Sequence, residues 1–200
     1  IGLRGSGSRV NAVLLGQVAQ LTEEQMPEEH MPVIVEASTH QAVRELEKGR
    51  IDAFVLTQAV PAPSLQNLAS RRRDVRFLSI PPRLIEQLAA LHSAYYPMHV
   101  AARTYPHQTQ PFVTLGLSAA LMTSKNVPDE KVEAMLMGLL NNSGRLARDY
   151  YRAGFITRET MRLGIAVPLH PAAERIHNQH EAAAPGGRSP DTAQGVGVPR

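Results

Sequence analysis

The sequence has no cysteine among its 200 residues. This absence excludes a disulfide framework, a zinc–thiolate site and a cysteine nucleophile. It also lacks the run of about 18 consecutive apolar residues that a membrane-spanning helix needs, and the G-x-S-x-G turn of a serine hydrolase. The chain also lacks a large excess of charge of either sign. Its 21 basic and 18 acidic side chains give a net charge of +3, which is too small to indicate nucleic-acid binding. We therefore predict neither an enzyme nor a nucleic-acid partner.

What the sequence does contain is an alternation of helical and strand patterns. With 43% hydrophobic residues, the chain can bury a core. Apolar runs at residues 33–35, 51–56 and 75–80 predict buried strands, and stretches with helical spacing lie between them. Ser38 or Thr39 is a candidate N-cap. This βαβαβα order predicts an α/β fold with a mainly parallel sheet and helices on its faces.

The second half reads differently. Residues 112–122 predict one longer strand, and Pro128 opens a helix that is followed by further helical stretches up to residue 180. This order indicates a crossover into another structural unit. From residue 181 onward, 7 of 20 residues are glycine or proline, which predicts a disordered tail over residues 181–200.

The most informative local feature is the glycine–serine segment at residues 5–9, between a predicted strand and a predicted helix. Such a turn presents free backbone N–H groups at the positive end of a helix, where a small anion binds. Arg9 can pair with a carboxylate. A dinucleotide fingerprint is excluded because position 10 is Val10. The alternative is an ordinary tight turn with a surface arginine.

Other polar residues follow the predicted strands at the same edge. In open parallel sheets, ligands gather at the carboxyl ends of the strands. Tyr105 lies in irregular sequence, where its ring can wall a pocket or pack a loop onto the sheet. We expect no catalytic residue, no metal ligand and no cofactor. The candidate ligand-binding residues are Gly5, Ser6, Gly7, Ser8, Arg9, Ser38, Thr39, Thr57, Gln58 and Tyr105.

Four segments, taken in their order and spacing, resemble one known family. They are the glycine–serine segment at 5–9, Leu-Glu-Lys-Gly-Arg-Ile-Asp-Ala-Phe at 46–54, Thr-Tyr-Pro at 104–106 and Pro-Leu-His-Pro-Ala-Ala-Glu-Arg at 168–175. Together they are similar to the TAXI family, the solute receptors of TRAP transporters (tripartite, ATP-independent, periplasmic), over about residues 2–180.

This resemblance implies a type II periplasmic-binding-protein fold, in which two α/β lobes close on a small ligand. Residues 1–95 would form one nearly complete lobe, the second of the family, and residues 96–180 a crossover strand and helices returning to the first lobe. The N-terminal lobe and a signal peptide would be missing from this chain.

The implied function is that of a periplasmic receptor. It would capture a small carboxylate-bearing solute, an amino acid or organic acid, and deliver it to the membrane permease subunits of a TRAP transporter. The alternative is an effector-binding or sensor domain of the same fold in a regulatory protein.

Overall fold

The computed structural model describes residues 1–21 and 32–183 of the chain. In these residues the elements follow one another as helices, a pair of strands and helices again. In chain order they are α1 (Gly7–Val18), α2 (Thr39–Glu47), α3 (Pro63–Arg71), α4 (Pro82–Leu91), β1 (Tyr96–Val100), β2 (Phe112–Gly116), α5 (Asp129–Asp149), a 3₁₀ helix (Tyr151–Phe155) and α6 (Pro171–Ala183).

The helix boundaries follow local capping chemistry. Ser38 caps α2 in a capping box: the Gln41 N–H donates to Ser38 Oγ at 3.3 Å, and the Ser38 N–H donates to Gln41 Oε1 at 2.9 Å. Gly49, just beyond α2, has a φ of +65°, a conformation that glycine adopts without steric cost. Pro63 and Pro82 open α3 and α4. The helices predicted in these places are confirmed.

The predicted parallel sheet is wrong for the described residues, whose sheet is the antiparallel pair β1–β2. Its register runs from Tyr96 opposite Gly116 to Val100 opposite Phe112, so the strand predicted at residues 112–122 is shorter than expected. The segments at 33–35, 51–56 and 75–80 are not paired as strands. An apolar extended run supplies only one side of a ladder, and pairing also needs a neighbouring backbone about 4.8 Å away.

In the described residues, two of these segments form backbone hydrogen bonds to distant parts of the chain, and these bonds lie near the ends of the segments. The amino group of Ile1 donates to the Val35 carbonyl at 2.8 Å, and the Ala37 N–H donates to the Ile1 carbonyl at 3.0 Å. The Ile80 N–H donates to the Val113 carbonyl at 2.9 Å. The first pair of bonds has the pattern of a single parallel bridge. It places the segments that lead into α1 and α2 side by side.

The core lies around α4 and the strand pair. Ile85 and Leu88 of α4 are 1% and 0% exposed, and α4 contacts α1 and both strands. The Tyr105 ring stacks on Phe77 with centroids 4.6 Å apart, and Phe77 stacks on Phe112 at 5.2 Å. These buried aliphatic and stacked aromatic side chains hold α4 and the segment around Phe77 to the strand pair.

The C-terminal helices pack on one another and reach back to the first half. The long helix α5 contacts the 3₁₀ helix and α6. The Tyr151 hydroxyl and Arg152 Nη2 donate to the Pro61 carbonyl at 2.7 and 2.8 Å. Helix α6 continues to Ala183, so residues 181–183 are helical and not part of the predicted tail. The rest of that tail lies outside the described residues, and the predicted division at residue 95 stays a prediction.

Candidate functional site

The glycine–serine segment forms a tight turn followed directly by a helix, as predicted. The Ser6 N–H donates to the Leu3 carbonyl at 3.1 Å, and Gly5 has a φ of +79°. Ser6 is the N-cap of α1, and its Oγ accepts from the Arg9 N–H at 3.2 Å. The N–H groups of Gly7 and Ser8 donate to no acceptor in the described parts of the chain. They remain available at the positive end of the α1 dipole.

A hydrogen-bonded network joins α1 to two distant parts of the chain. The Thr57 N–H donates to Ser8 Oγ at 2.9 Å, and Asn11 Nδ2 donates to Thr57 Oγ1 at 2.9 Å. The Tyr95 hydroxyl donates to Asn11 Oδ1 at 2.6 Å, and burial raises the pKa of Tyr95. The structure thus brings together the predicted residues Ser8 and Thr57. It adds Asn11 and Tyr95, which the prediction omitted.

Arg9 contacts the carboxylate of Glu36, a residue outside the predicted set. Its guanidinium forms an ion pair with Glu36, and Arg4 Nε lies 3.7 Å from the same carboxylate oxygen. The Arg9 and Glu36 side chains are 29% and 34% exposed, whereas that of Arg4 is 85% exposed. The sequence contained a signal for Glu36 as a site residue, because Glu36 directly follows the apolar run at 33–35. It therefore occupies the same edge as the other candidates.

The predicted residues Ser38 and Thr39 lie at the start of α2, close to this ion pair. Ser38 Oγ is used as the helix cap, while the N–H groups of Thr39 and His40 find no acceptor within residues 1–21 and 32–183. Because Arg9 of α1 contacts Glu36, which precedes Ser38 by two residues, the starts of α1 and α2 lie at one edge. We call this edge, with Arg9 and Glu36, the helix-start edge.

Gly2 sets how closely the N-terminal segment approaches the start of α1. A Cβ built on Gly2 would lie 2.8 Å from Ser8 Cβ and 2.9 Å from the Arg9 backbone nitrogen. Both distances are too short for a side chain, so only glycine fits beneath the turn without a shift. The role of Gly2 depends on this close approach, which the sequence alone does not reveal.

The remaining two candidates lie elsewhere. Gln58 Oε1 accepts from the Ser64 hydroxyl at 3.0 Å, beside the start of α3. Tyr105 is 3% exposed, and its hydroxyl oxygen accepts from the Ala62 N–H at 3.0 Å. Burial raises the pKa of Tyr105. Its ring belongs to the aromatic stack of the core, so the structure gives Tyr105 the loop-packing role and does not bring it to the helix-start edge.

The comparison with protein families decides the coarse identity. The sequence model of the NMT1-like family matches residues 1–179. The chain belongs to the NMT1-like family. This family is periplasmic-binding-protein-like, its members are substrate-binding proteins in general, and they are typically extracytoplasmic. Among curated proteins, none matches the chain. The recognition of a binding protein is thereby confirmed at this level.

Elsewhere in this NMT1-like chain, His170 has structural surroundings. His170 Nε2 lies 3.1 Å from the Val127 carbonyl, and His170 Nδ1 accepts from the Ala172 N–H at 3.3 Å. These contacts tie the start of α6 to the turn before α5. In the described residues, no group of three histidine or acidic side chains could hold a metal ion. Nor is any helix there both long and apolar enough to cross a bilayer.

Proposed function

We propose that this NMT1-like protein captures a small carboxylate-bearing solute, an amino acid or organic acid, at the helix-start edge. It acts without catalysis, outside the cytoplasm, and delivers the solute to the membrane permease of a TRAP-type transporter. The observation that carries the proposal is the convergence of two helix N-termini with Arg9 at one edge. The resemblance to the TAXI family supports the transport role.

The available donors suit a carboxylate. Four backbone N–H groups, those of Gly7, Ser8, Thr39 and His40, find no acceptor in the described residues. Two helix dipoles add positive potential at the same place, and anions bind at such helix ends. Arg9 has five N–H donors and uses only part of them toward Glu36, so its guanidinium can also donate to a ligand.

The Arg9–Glu36 pair favours an amino acid within this class. An α-amino acid carries one carboxylate and one ammonium group close together. The first complements Arg9 and the helix ends, while the second complements the Glu36 carboxylate. A dicarboxylate would place its second negative charge toward Glu36, where like charges repel. We therefore expect amino acids to bind more tightly than dicarboxylates of similar size.

Calorimetric titration with a panel of amino acids and dicarboxylates tests the proposal. Arg9→Ala is expected to weaken carboxylate binding by about 1.5–3 kcal/mol, the size of a charge-assisted contact. The matched control is Arg4→Ala, which removes an arginine near the same carboxylate but with an 85% exposed side chain. It should change the dissociation constant by less than about threefold.

Two results would contradict the proposal. The first is that no member of the panel binds. The second is that Arg9→Ala binds as tightly as the unmodified protein, which would remove Arg9 from the site. Uptake by vesicles that contain the permease then tests delivery. Binding without any stimulation of uptake would favour a sensor over a transport receptor.

A further inference from the structure

A basic surface lies where α2 and α3 end, at the end of α2 away from the helix-start edge. Arg71 Nη2 lies 2.7 Å from Glu47 Oε1, and Arg72 Nη1 donates to the Glu47 backbone carbonyl at 2.7 Å, so the two helices end side by side. Seven basic and four acidic side chains lie in the two segments that form this surface, residues 44–52 and 71–76. Their net charge equals that of the whole chain, +3. We call them the basic end.

Three carboxylates of the basic end are each occupied by one arginine. Glu45 pairs with Arg50, Glu47 with Arg71 and Asp74 with Arg72. The surplus cations are exposed, and in the described parts of the chain none of them meets a carboxylate within ion-pair distance. Arg76 donates only to two backbone carbonyls, at 2.8 and 3.1 Å. The full set of surplus cations is Arg44, Lys48, Arg73 and Arg76.

The helix dipoles account for only part of this charge. The C-terminus of a helix carries about half a negative charge, which one nearby cation balances. Arg44 lies in the last turn of α2 and Lys48 is its C-cap, four residues later, so both stand at one side of the helix end. Both act on the Glu45 carboxyl through their positive charge. The excess therefore forms a surface that faces solvent with several guanidinium and ammonium groups.

An exposed apolar side chain stands next to these cations. Along residues 75–78 partly buried and exposed side chains alternate, so neighbouring side chains face opposite sides. Phe77 turns inward and stacks on Tyr105 at 4.6 Å, whereas Arg76 and Leu78 point outward, and Leu78 is 76% exposed. The combination of cations with an outward leucine suits the headgroup layer of a bilayer, where phosphates meet the cations and an apolar side chain enters the acyl boundary.

We infer that the basic end docks on the anionic headgroup surface of a phospholipid bilayer. Charge complementarity and the exposed Leu78 together favour a bilayer as the partner, since a purely ionic partner gains nothing from an exposed leucine. Nucleic acid is less well matched, because Phe77, the aromatic residue within this segment, faces the core and offers no ring for base stacking. This docking goes beyond solute capture and does not depend on it.

Co-sedimentation of the 200-residue protein with phosphatidylglycerol vesicles tests the inference. The triple variant R44Q/K48Q/R73Q removes three cations that make no hydrogen bond or ion pair in the described structure. Each basic residue near an anionic surface contributes a factor of about five in partitioning, so the variant should bind on the order of 100-fold more weakly. The matched control K125Q/R145Q/R148Q removes the same charge from exposed positions outside the basic end and should lose far less.

The remaining measurements separate the sources of binding. Leu78→Gln should weaken vesicle binding by about tenfold, and about 0.5 M salt should abolish it because the Debye length falls to a few ångströms. Phosphatidylcholine vesicles should not bind. The inference is overturned if the unmodified protein ignores phosphatidylglycerol vesicles, which would leave an acidic protein as the partner. It is also overturned if both triple variants lose binding equally, or if millimolar inorganic phosphate competes fully, which would indicate a site for free phosphate.

Discussion

Residues 1–91 and residues 96–183 use their extended segments in different ways. In the first region, the described apolar segments form backbone hydrogen bonds to other parts of the chain only near their ends, and Val33 and Leu78 remain 91% and 76% exposed. In the second region, β1 and β2 pair over five residues and enclose Val100, which is 1% exposed. The two strands are joined by a loop within the same region, whereas each parallel pairing needs a crossover and a partner far along the chain. A short loop between two neighbouring segments therefore decides which segments pair as strands.

The largest effect is expected where the two regions share one helix. Leu88 of α4 is 0% exposed, and α4 contacts both α1 and the strand pair. Leu88→Ala removes three buried carbon atoms and leaves a cavity, which costs about 2–5 kcal/mol of unfolding free energy. Chemical denaturation followed by circular dichroism measures this loss.

The matched control lies on the same helix. Leu91→Ala makes the same chemical change at a side that is 63% exposed, and it should alter the unfolding free energy by no more than about 0.5 kcal/mol. If the two variants unfolded at the same denaturant concentration, α4 would not be the shared core element. Two separate transitions for the unmodified chain would instead mean that the regions fold independently.

The next effect sharpens the assignment of Tyr105 to the core. Tyr105→Phe leaves the buried Ala62 N–H without its acceptor, which costs about 1–3 kcal/mol. The same substitution at Tyr96, whose hydroxyl lies 3.1 Å from Ser118 Oγ at a partly buried site, should cost less. Solute affinity measured by calorimetry should not change with Tyr105→Phe. A large loss of affinity with unchanged stability would restore Tyr105 to the binding site.

Tyr105 also predicts a pH dependence. Burial raises its pKa above the ordinary value near 10, so its contribution to stability is fully present below that value. It is lost as the pH rises, because the unfolded chain ionises first. Unfolding free energies measured from pH 8 to pH 11 should fall less steeply for Tyr105→Phe than for the unmodified protein. Parallel curves would contradict the prediction.

The helices were more predictable from the sequence than the sheet. Helix signals are local: the Ser38 cap, Gly49 and the prolines of α3 and α4 all act within a few residues of their own element. Strand pairing is a relation between distant segments. The sequence shows that residues 33–35 are apolar, but not whether another backbone lies beside them. The pair β1–β2 contains one segment that the apolar pattern missed, because Tyr96–Val100 carries a proline and a histidine.

The candidate site shows the same difference between local signals and contacts across the chain. The turn at residues 5–9 and the start of α2 could be predicted because they are cap and turn motifs. Glu36 and Asn11 were missed because each gains its role from a contact across the chain, with Arg9 and with Thr57. Tyr105 is the reverse case, because its surroundings left two roles open. Its irregular sequence allowed either a pocket wall or a loop packed onto the sheet, and only the stack with Phe77 shows the ring inside the core.

A moderate effect is expected from the network that ties α1 to the end of the first region. Asn11→Ala removes the bonds to Thr57 Oγ1 and from the Tyr95 hydroxyl. The expected cost is about 1–2 kcal/mol of unfolding free energy, since both bonds are partly exposed to water. Asn142→Ala, which removes one exposed bond to the Gly138 carbonyl in α5, is the control in the second region. Equal losses would mean that the network adds nothing beyond a surface contact.

The smallest effect concerns the exposed rim of the first region. Two hydrogen bonds from Arg72, at 2.8 and 2.5 Å, are the main cause that lowers the pKa of Asp74 from 3.8 to about 2. A carboxyl with a lowered pKa contributes stability at pH values above the pKa of the unfolded chain, and that contribution is lost as the pH falls from about 4 to about 2.

Carbon-detected NMR should show Asp74 titrating near 2, and Arg72→Gln should return its midpoint toward 3.8. Because the Asp74 side chain is 66% exposed, solvent screens the pair, and Asp74→Asn should hardly change stability at neutral pH. A midpoint that stays low in Arg72→Gln would transfer the cause to the backbone N–H of Asp74, the second contributor.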